Sequence, residues 1–138
     1  MFLRELYTNH YYNYSIDYPS FLIPQGESQN GDGQSFVHLT TQLTVYKHFA
    51  LDEELSINEI YNQAVKYYTD NNSDIVYKVQ KTEFFVISGL QNDNIFYRRT
   101  IIDNKSGRYL TGILIFDKSQ KELFDEIISH IFSSMKFN

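Results

Sequence analysis

A chain of 138 residues with 17 acidic and 12 basic side chains carries a net charge of −5 and gathers no Lys or Arg patch. That excludes the counterion-releasing surface that nucleic acid or an anionic membrane requires. The absence of cysteine excludes disulfides, thiolate nucleophiles and zinc–thiolate sites, and no apolar run approaches the roughly 20 residues that span a bilayer.

The 12 Tyr and 11 Phe residues supply much of the apolar bulk. They favour strands and point to a sheet-rich core with hydroxyls at its rim. The length suits a single domain, 1–138, around one hydrophobic core. The opening Met1–Tyr7 meets charge after three residues and holds no apolar leader segment, so cytoplasmic residence is expected.

In chain order, Tyr12–Tyr18 alternate with Tyr12, Tyr14, Ile16 and Tyr18 on one side, the pattern of a half-buried strand. Gln25–Gly33 holds three Gly and no apolar side chain and reads as a loop. Ser35–Leu39 and Leu43–Phe49 read as a hairpin turning at Thr40–Gln42. Leu39 then faces Leu43 and Val37 faces Val45 on the inward side, with Phe36, His38, Thr44, Tyr46 and His48 on the other.

Ser56 followed by Glu59 forms a capping-box signal, and Ile57, Ile60, Tyr61, Ala64, Val65 and Tyr68 recur at helical spacing. After the Asn71–Asp74 turn cluster come strands at about 75–81, 83–89, 95–102 and 109–116, separated by Asn- and Asp-rich turns. The last two are apolar on both faces, so both faces should be covered. Ser119 with Glu122 repeats the capping-box signal before a helix carrying Leu123, Phe124, Ile127, Ile128, Ile131, Phe132 and Met135. This order predicts an α+β fold, an antiparallel sheet with helices packed on its faces.

The strings Tyr14-Ser15-Ile16-Asp17-Tyr18-Pro19, Asn30-Gly31-Asp32-Gly33, Phe85-Val86-Ile87-Ser88-Gly89 and Ile95-Phe96-Tyr97-Arg98-Arg99 resemble bacterial domains of the PsbP-like fold. That fold is named for an extrinsic photosystem subunit and is shared by a nuclear-transport factor that binds the GTPase Ran. The resemblance covers about residues 12–137. It implies an αβα sandwich and protein binding in place of catalysis, and it carries over no active residue.

The candidate residues are Arg98, Arg99, Asp32, Tyr46 and His48. Ser28–Gly33 imitates the first half of a calcium loop, but Leu39 stands where the bidentate carboxylate is needed, so a turn is the simpler reading of Asp32. His38 and His48 fall on one side of the expected hairpin yet roughly 13 Å apart at the usual strand rise, too far to share a metal. Strand alternation forces Arg98 and Arg99 to opposite faces. At least one should be buried, held by an internal ion pair or lining an anion or partner pocket. In the expected register Arg99 lies opposite Val86 and Gly112, whose missing side chain leaves room.

No nucleophile elbow, phosphate loop or H-E-x-x-H motif occurs. The expectation is a small acidic binding or adaptor domain with no cofactor and no catalytic or metal residues, whose partner is another protein. The alternative is an enzyme or small-ligand receptor built around Arg98 or Arg99, and a deep pocket at the guanidinium would favour it.

Overall fold

The computed structural model describes residues 3–138. The chain begins with five strands, β1 (Arg4–Asn9), β2 (Tyr14–Pro19), β3 (Ile23–Pro24), β4 (Gly33–His38) and β5 (Thr41–Lys47). A 3-10 helix at Ala50–Glu54 leads to α1 (Ile57–Asp70). A meander follows, β6 (Asp74–Gln80), β7 (Phe84–Gln91), β8 (Asn94–Ile102) and β9 (Tyr109–Asp117), then α2 (Lys121–Ser134) and β10 (Lys136–Phe137).

Seven strands form one antiparallel sheet in the order β3-β4-β5-β9-β8-β7-β6, and β1-β2-β10 form a second. Apolar side chains divide into two clusters, where one core was expected. Tyr14, Ile16, Phe36, Leu114, Ile127 and Phe132 belong to the cluster between the large sheet, the small sheet and α2. Ile60, Ala64, Tyr68, Phe85, Ile87 and Phe96 belong to the cluster beneath α1. The central sheet is therefore covered on both faces, as the doubly apolar β8 and β9 require.

Helix α1 starts where its sequence dictates. The Ser56 hydroxyl accepts from the Glu59 N–H at 3.1 Å, and the Glu59 carboxylate accepts from the Ser56 N–H at 3.3 Å. Ile60, Ala64 and Tyr68, four apart, form its buried stripe. The second capping box does not form. Strand β9 stays paired as far as Asp117, opposite Asn94, and the chain then tightens into a 3-10 turn at Lys118–Gln120. That turn holds Ser119 inside it, and the cap is the Asp117 carboxylate, which accepts from the Ser119 N–H at 2.9 Å.

Two strand expectations are corrected. The β4–β5 hairpin pairs Phe36 with Leu43 and His38 with Thr41, so its turn is only Leu39-Thr40. This register is three positions from the expected one, and an odd slip exchanges the faces. It buries the Phe36 ring against Tyr18 and Tyr7, with centroids 4.3 and 5.6 Å away, in aromatic contacts that Val37 and Leu39 could not make. Leu39 is left 84% exposed at φ 53°. His38 and His48 consequently fall on opposite faces.

Strand β2 is buried on both faces and, as the middle strand of the small sheet, is flanked by β1 and β10. The Asp17 N–H donates to Ser134 Oγ at 2.8 Å, and Ser15 Oγ donates to Asn138 Oδ1 at 3.1 Å. The meander follows the expected register: Arg99 pairs with Val86 on one side and Gly112 on the other.

Candidate functional site

On the α1 face of the sheet a row of polar side chains crosses three adjacent strands. Arg98 and Thr100 come from β8 and Thr111 from β9, where Thr100 and Thr111 are directly paired. His48 comes from the residue after β5, whose N–H donates to the Tyr109 carbonyl at 3.0 Å. His48 Nδ1 lies 2.8 Å from Asp52 Oδ2 and its Nε2 lies 2.6 Å from Thr111 Oγ1. Thr111 Oγ1 lies 2.7 Å from Thr100 Oγ1, which accepts from Arg98 Nε at 3.3 Å.

The donor inventory fixes one direction for this chain when His48 is neutral. Arg98 Nε–H donates to Thr100, Thr100 to Thr111, Thr111 to His48 Nε2, and His48 Nδ1–H donates to Asp52. Both threonines are wholly buried, and their hydroxyls and the His48 ring nitrogens are satisfied within the row. The Asp–His–hydroxyl order imitates a hydrolase triad, but Thr111 Oγ1 is sealed from any substrate and cannot attack one. The row's work is to fix the Arg98 stem.

Between this row and α1 opens a cleft of about 490 Å³, within the range of small-molecule sites. Ile60, Ala64 and Tyr68 of α1 form one wall, and Ile113 and Ile115 of β9 contribute apolar floor. Arg98 lines it while only 9% exposed. Its guanidinium carbon lies 5.7 Å from the Phe85 ring centroid, and it stands beside the Tyr68 hydroxyl, opposing the rise that burial imposes on the Tyr68 pKa. The expected internal ion pair is absent, since no carboxylate among the described residues comes within 4.0 Å of Arg98. Lys47, the other cation at the cleft, is already held by Glu53 at 2.9 Å and lies over the Tyr12 ring at 4.7 Å.

Asp32, Tyr46 and His48 line the same cleft as Arg98. The Tyr46 ring stacks on His48 at 5.1 Å. The Asp32 carboxylate accepts from Ser28 Oγ, and its carbonyl accepts from the Tyr14 hydroxyl at 2.6 Å, so the glycine-bearing loop closes on itself and on β2. Arg99 is elsewhere. It points to the α2 face with its guanidinium 4.2 Å from the Phe84 ring centroid, and its buried Nε has no hydrogen-bond partner.

Sequence reasoning missed Asp52, Thr100 and Thr111. Asp52 reads as part of a solvated connector, and strand threonines are ordinary; the usable signals were the four-residue His48–Asp52 spacing and the predicted adjacency of the two strands.

Burial pushes the His48 imidazole below its ordinary pKa. The Asp52 hydrogen bond opposes this, while the charges of Arg98 and Lys47 reinforce it. The unfolded chain therefore takes up a proton near about pH 6.5 that the folded chain refuses until lower pH. The unfolded state then binds more protons, so stability is fully present above that value and falls as the pH drops toward the folded pKa, with a slope of at most about 1.4 kcal/mol per pH unit. Urea denaturation between about pH 7.5 and 5 should show wild type losing more stability than His48→Gln, which keeps a donor for Asp52 and an acceptor for Thr111. Equal losses would mean that His48 titrates as it does in the unfolded chain.

No protein-family model matches the chain, and neither does any curated protein sequence. Solved structures do share its fold. The solution structure of cyanobacterial PsbP (CyanoP) from Synechocystis sp. PCC 6803 superposes with a TM-score of 0.70 at 11% identity, covering 100% of this chain and 94% of that one. The Ran-binding protein Mog1p of Saccharomyces cerevisiae gives 0.65 at 9% identity, covering 99% and 96%. The architecture is thus the α+β PsbP-like fold, shared with a Ran-binding factor. Among the described residues no helix is long and apolar enough to cross a membrane.

Proposed function

We propose that this chain is a binding domain whose site is the cleft between α1 and the sheet, and that it captures an oxyanion at Arg98. The observation that carries this reading is the guanidinium itself, buried in a ligand-sized cleft and paired with no acid among the described residues. A buried charge without a counter-ion is costly to a fold, and a bound anion supplies what the protein does not.

Isothermal titration of wild type against a panel of carboxylates, phosphates and sulfates tests it. Binding to at least one class is expected, weakened by about 2 kcal/mol or more in Arg98→Met and unaffected in Arg99→Met, on the opposite face. Arg98→Met should melt at or above the wild-type temperature, because it replaces an unpaired buried cation with an apolar chain of similar length. A variant that melts well below wild type, with no change in binding, would make Arg98 structural.

A second reading is favoured by the rim of the cleft. Phe49 and Tyr67 line its mouth while 68% and 56% exposed, and exposed aromatic rings beside an Arg have the composition of a protein-binding hot spot. The Ran-binding neighbour supports a protein partner, which would then supply the anion as an acidic side chain. Stoichiometric co-purification from the native host that is lost in Phe49→Ser would select this reading.

A further inference from the structure

Resting on the reading of Arg98 as an oxyanion site, we infer that the ligand of the cleft is an amphipathic monocarboxylate, a carboxylic acid with a hydrocarbon or aryl body, and not a phosphate. Three features of the cleft select it.

The first is charge. Arg98 is the one cation at the cleft that no acid holds among the described residues, while Asp32 and Asp52 also line it. A single guanidinium neutralises a monoanion. A phosphate dianion would keep one uncompensated charge in a narrow space that already contains two carboxylates.

The second is donor supply. Phosphate sites draw on backbone N–H groups at a helix N-terminus or in a Gly-rich nest. The N-terminus of α1 uses its Ser56 and Glu59 N–H groups in its own capping box, and the cleft does not lie at that end but runs along the side of the helix, through Ile60, Ala64 and Tyr68. With Nε committed to Thr100, Arg98 presents its two terminal nitrogens, a planar fork that matches one carboxylate.

The third is the body of the cleft. Beside Gln63 and Gln91, much of its remaining lining is apolar, with the aliphatic side chains of Ile60, Ala64, Ile113 and Ile115 inside and the Phe49 ring at its mouth. An apolar chain extending from the carboxylate would cover these surfaces, and the burial of that chain would supply most of the affinity.

Amide chemical shifts of isotopically labelled protein, titrated with decanoate, decyl phosphate, decanol and inorganic phosphate, test the inference. Decanoate should bind most tightly, moving the amides of Ala64, Thr100 and Ile113. Decanol should bind at least about tenfold more weakly, for lack of the charged hydrogen bonds, and inorganic phosphate should move none of these signals. Arg98→Met should weaken decanoate by about tenfold or more, and Ala64→Phe, which fills the cleft without touching its charge, should exclude decanoate from a protein whose remaining spectrum is native. If decyl phosphate binds as tightly as decanoate, or inorganic phosphate moves the same amides, Arg98 remains an oxyanion site and the carboxylate assignment is overturned. If no probe binds wild type, or Arg98→Met binds decanoate as wild type does, the reading of Arg98 falls with it.

Discussion

Phe96→Ala should lose about 3–5 kcal/mol of stability. Phe96 is fully buried on the α1 face of β8, and its ring lies parallel to Tyr68 with centroids 4.2 Å apart and planes 8° from each other. Truncation removes the apolar area of the ring and leaves a cavity that the surroundings cannot readily close. Helix α1 is fixed at its start by the Ser56–Glu59 box, and the Phe96 backbone is held between Gly89 and Ile115. The cavity cost therefore adds to the transfer cost. Phe96→Leu keeps most of the volume and should lose less, about 1–1.5 kcal/mol. Chemical denaturation of both variants measures this directly, and a loss below about 1 kcal/mol for Ala would mean that α1 is not seated on the sheet through Tyr68.

The parts of the fold that could be read in the sequence are those whose signals are local. Asn- and Asp-rich turns set the start of β6 and the breaks between β7, β8 and β9, and the Ser56–Glu59 pair set the start of α1. The β4–β5 register was not local: turn residues 39–42 allow either a two- or a three-residue loop, and the choice was made by Phe36, whose ring finds Tyr7 and Tyr18 only after the small sheet has docked. Strand β1 was missed because only Tyr7 and Asn9 of its six residues are buried.

The candidate site divides in the same way. Alternation correctly sent Arg98 and Arg99 to opposite faces but could not choose between them, since both faces of β8 are apolar. That Asp32, Tyr46, His48 and Arg98 meet in one cleft depends on β5 lying beside β9, a long-range pairing with no trace in local pattern. The lack of an acid at Arg98 is equally invisible, because many carboxylates precede it in the chain and only the fold decides which approach it.

Gly112→Leu is expected to cost about 3 kcal/mol or somewhat more, at the upper end of what overpacking does. The sequence suggests that the missing side chain makes room for Arg99, its cross-strand neighbour. The room is taken from above the sheet instead. A Cβ at Gly112 would stand 3.0 Å from Phe132 Cε1 and 3.0 Å from Met135 Sδ, while Arg99 turns away to the Phe84 ring. A single methyl needs the Met135 thioether to rotate and the Phe132 ring to give by a few tenths of an ångström, so Gly112→Ala should lose less, about 1–2 kcal/mol. The three further carbons of Leu have no such exit. Strand β9 is central, with β5 and β8 on its flanks, so the sheet cannot yield and the end of α2 must lift. Lifting it strains the β10–β2 pairing, where Lys136 and Phe137 meet Ser15 and Tyr14. A second-site change separates this mechanism from a general loss of strand quality: Phe132→Ala alone should destabilise by about 3–5 kcal/mol, but combined with Gly112→Leu it should cost clearly less than the sum, because the new side chain occupies the space the ring vacates. Strict additivity in that cycle would mean that Gly112 and Phe132 do not meet, and that α2 rests elsewhere on the sheet.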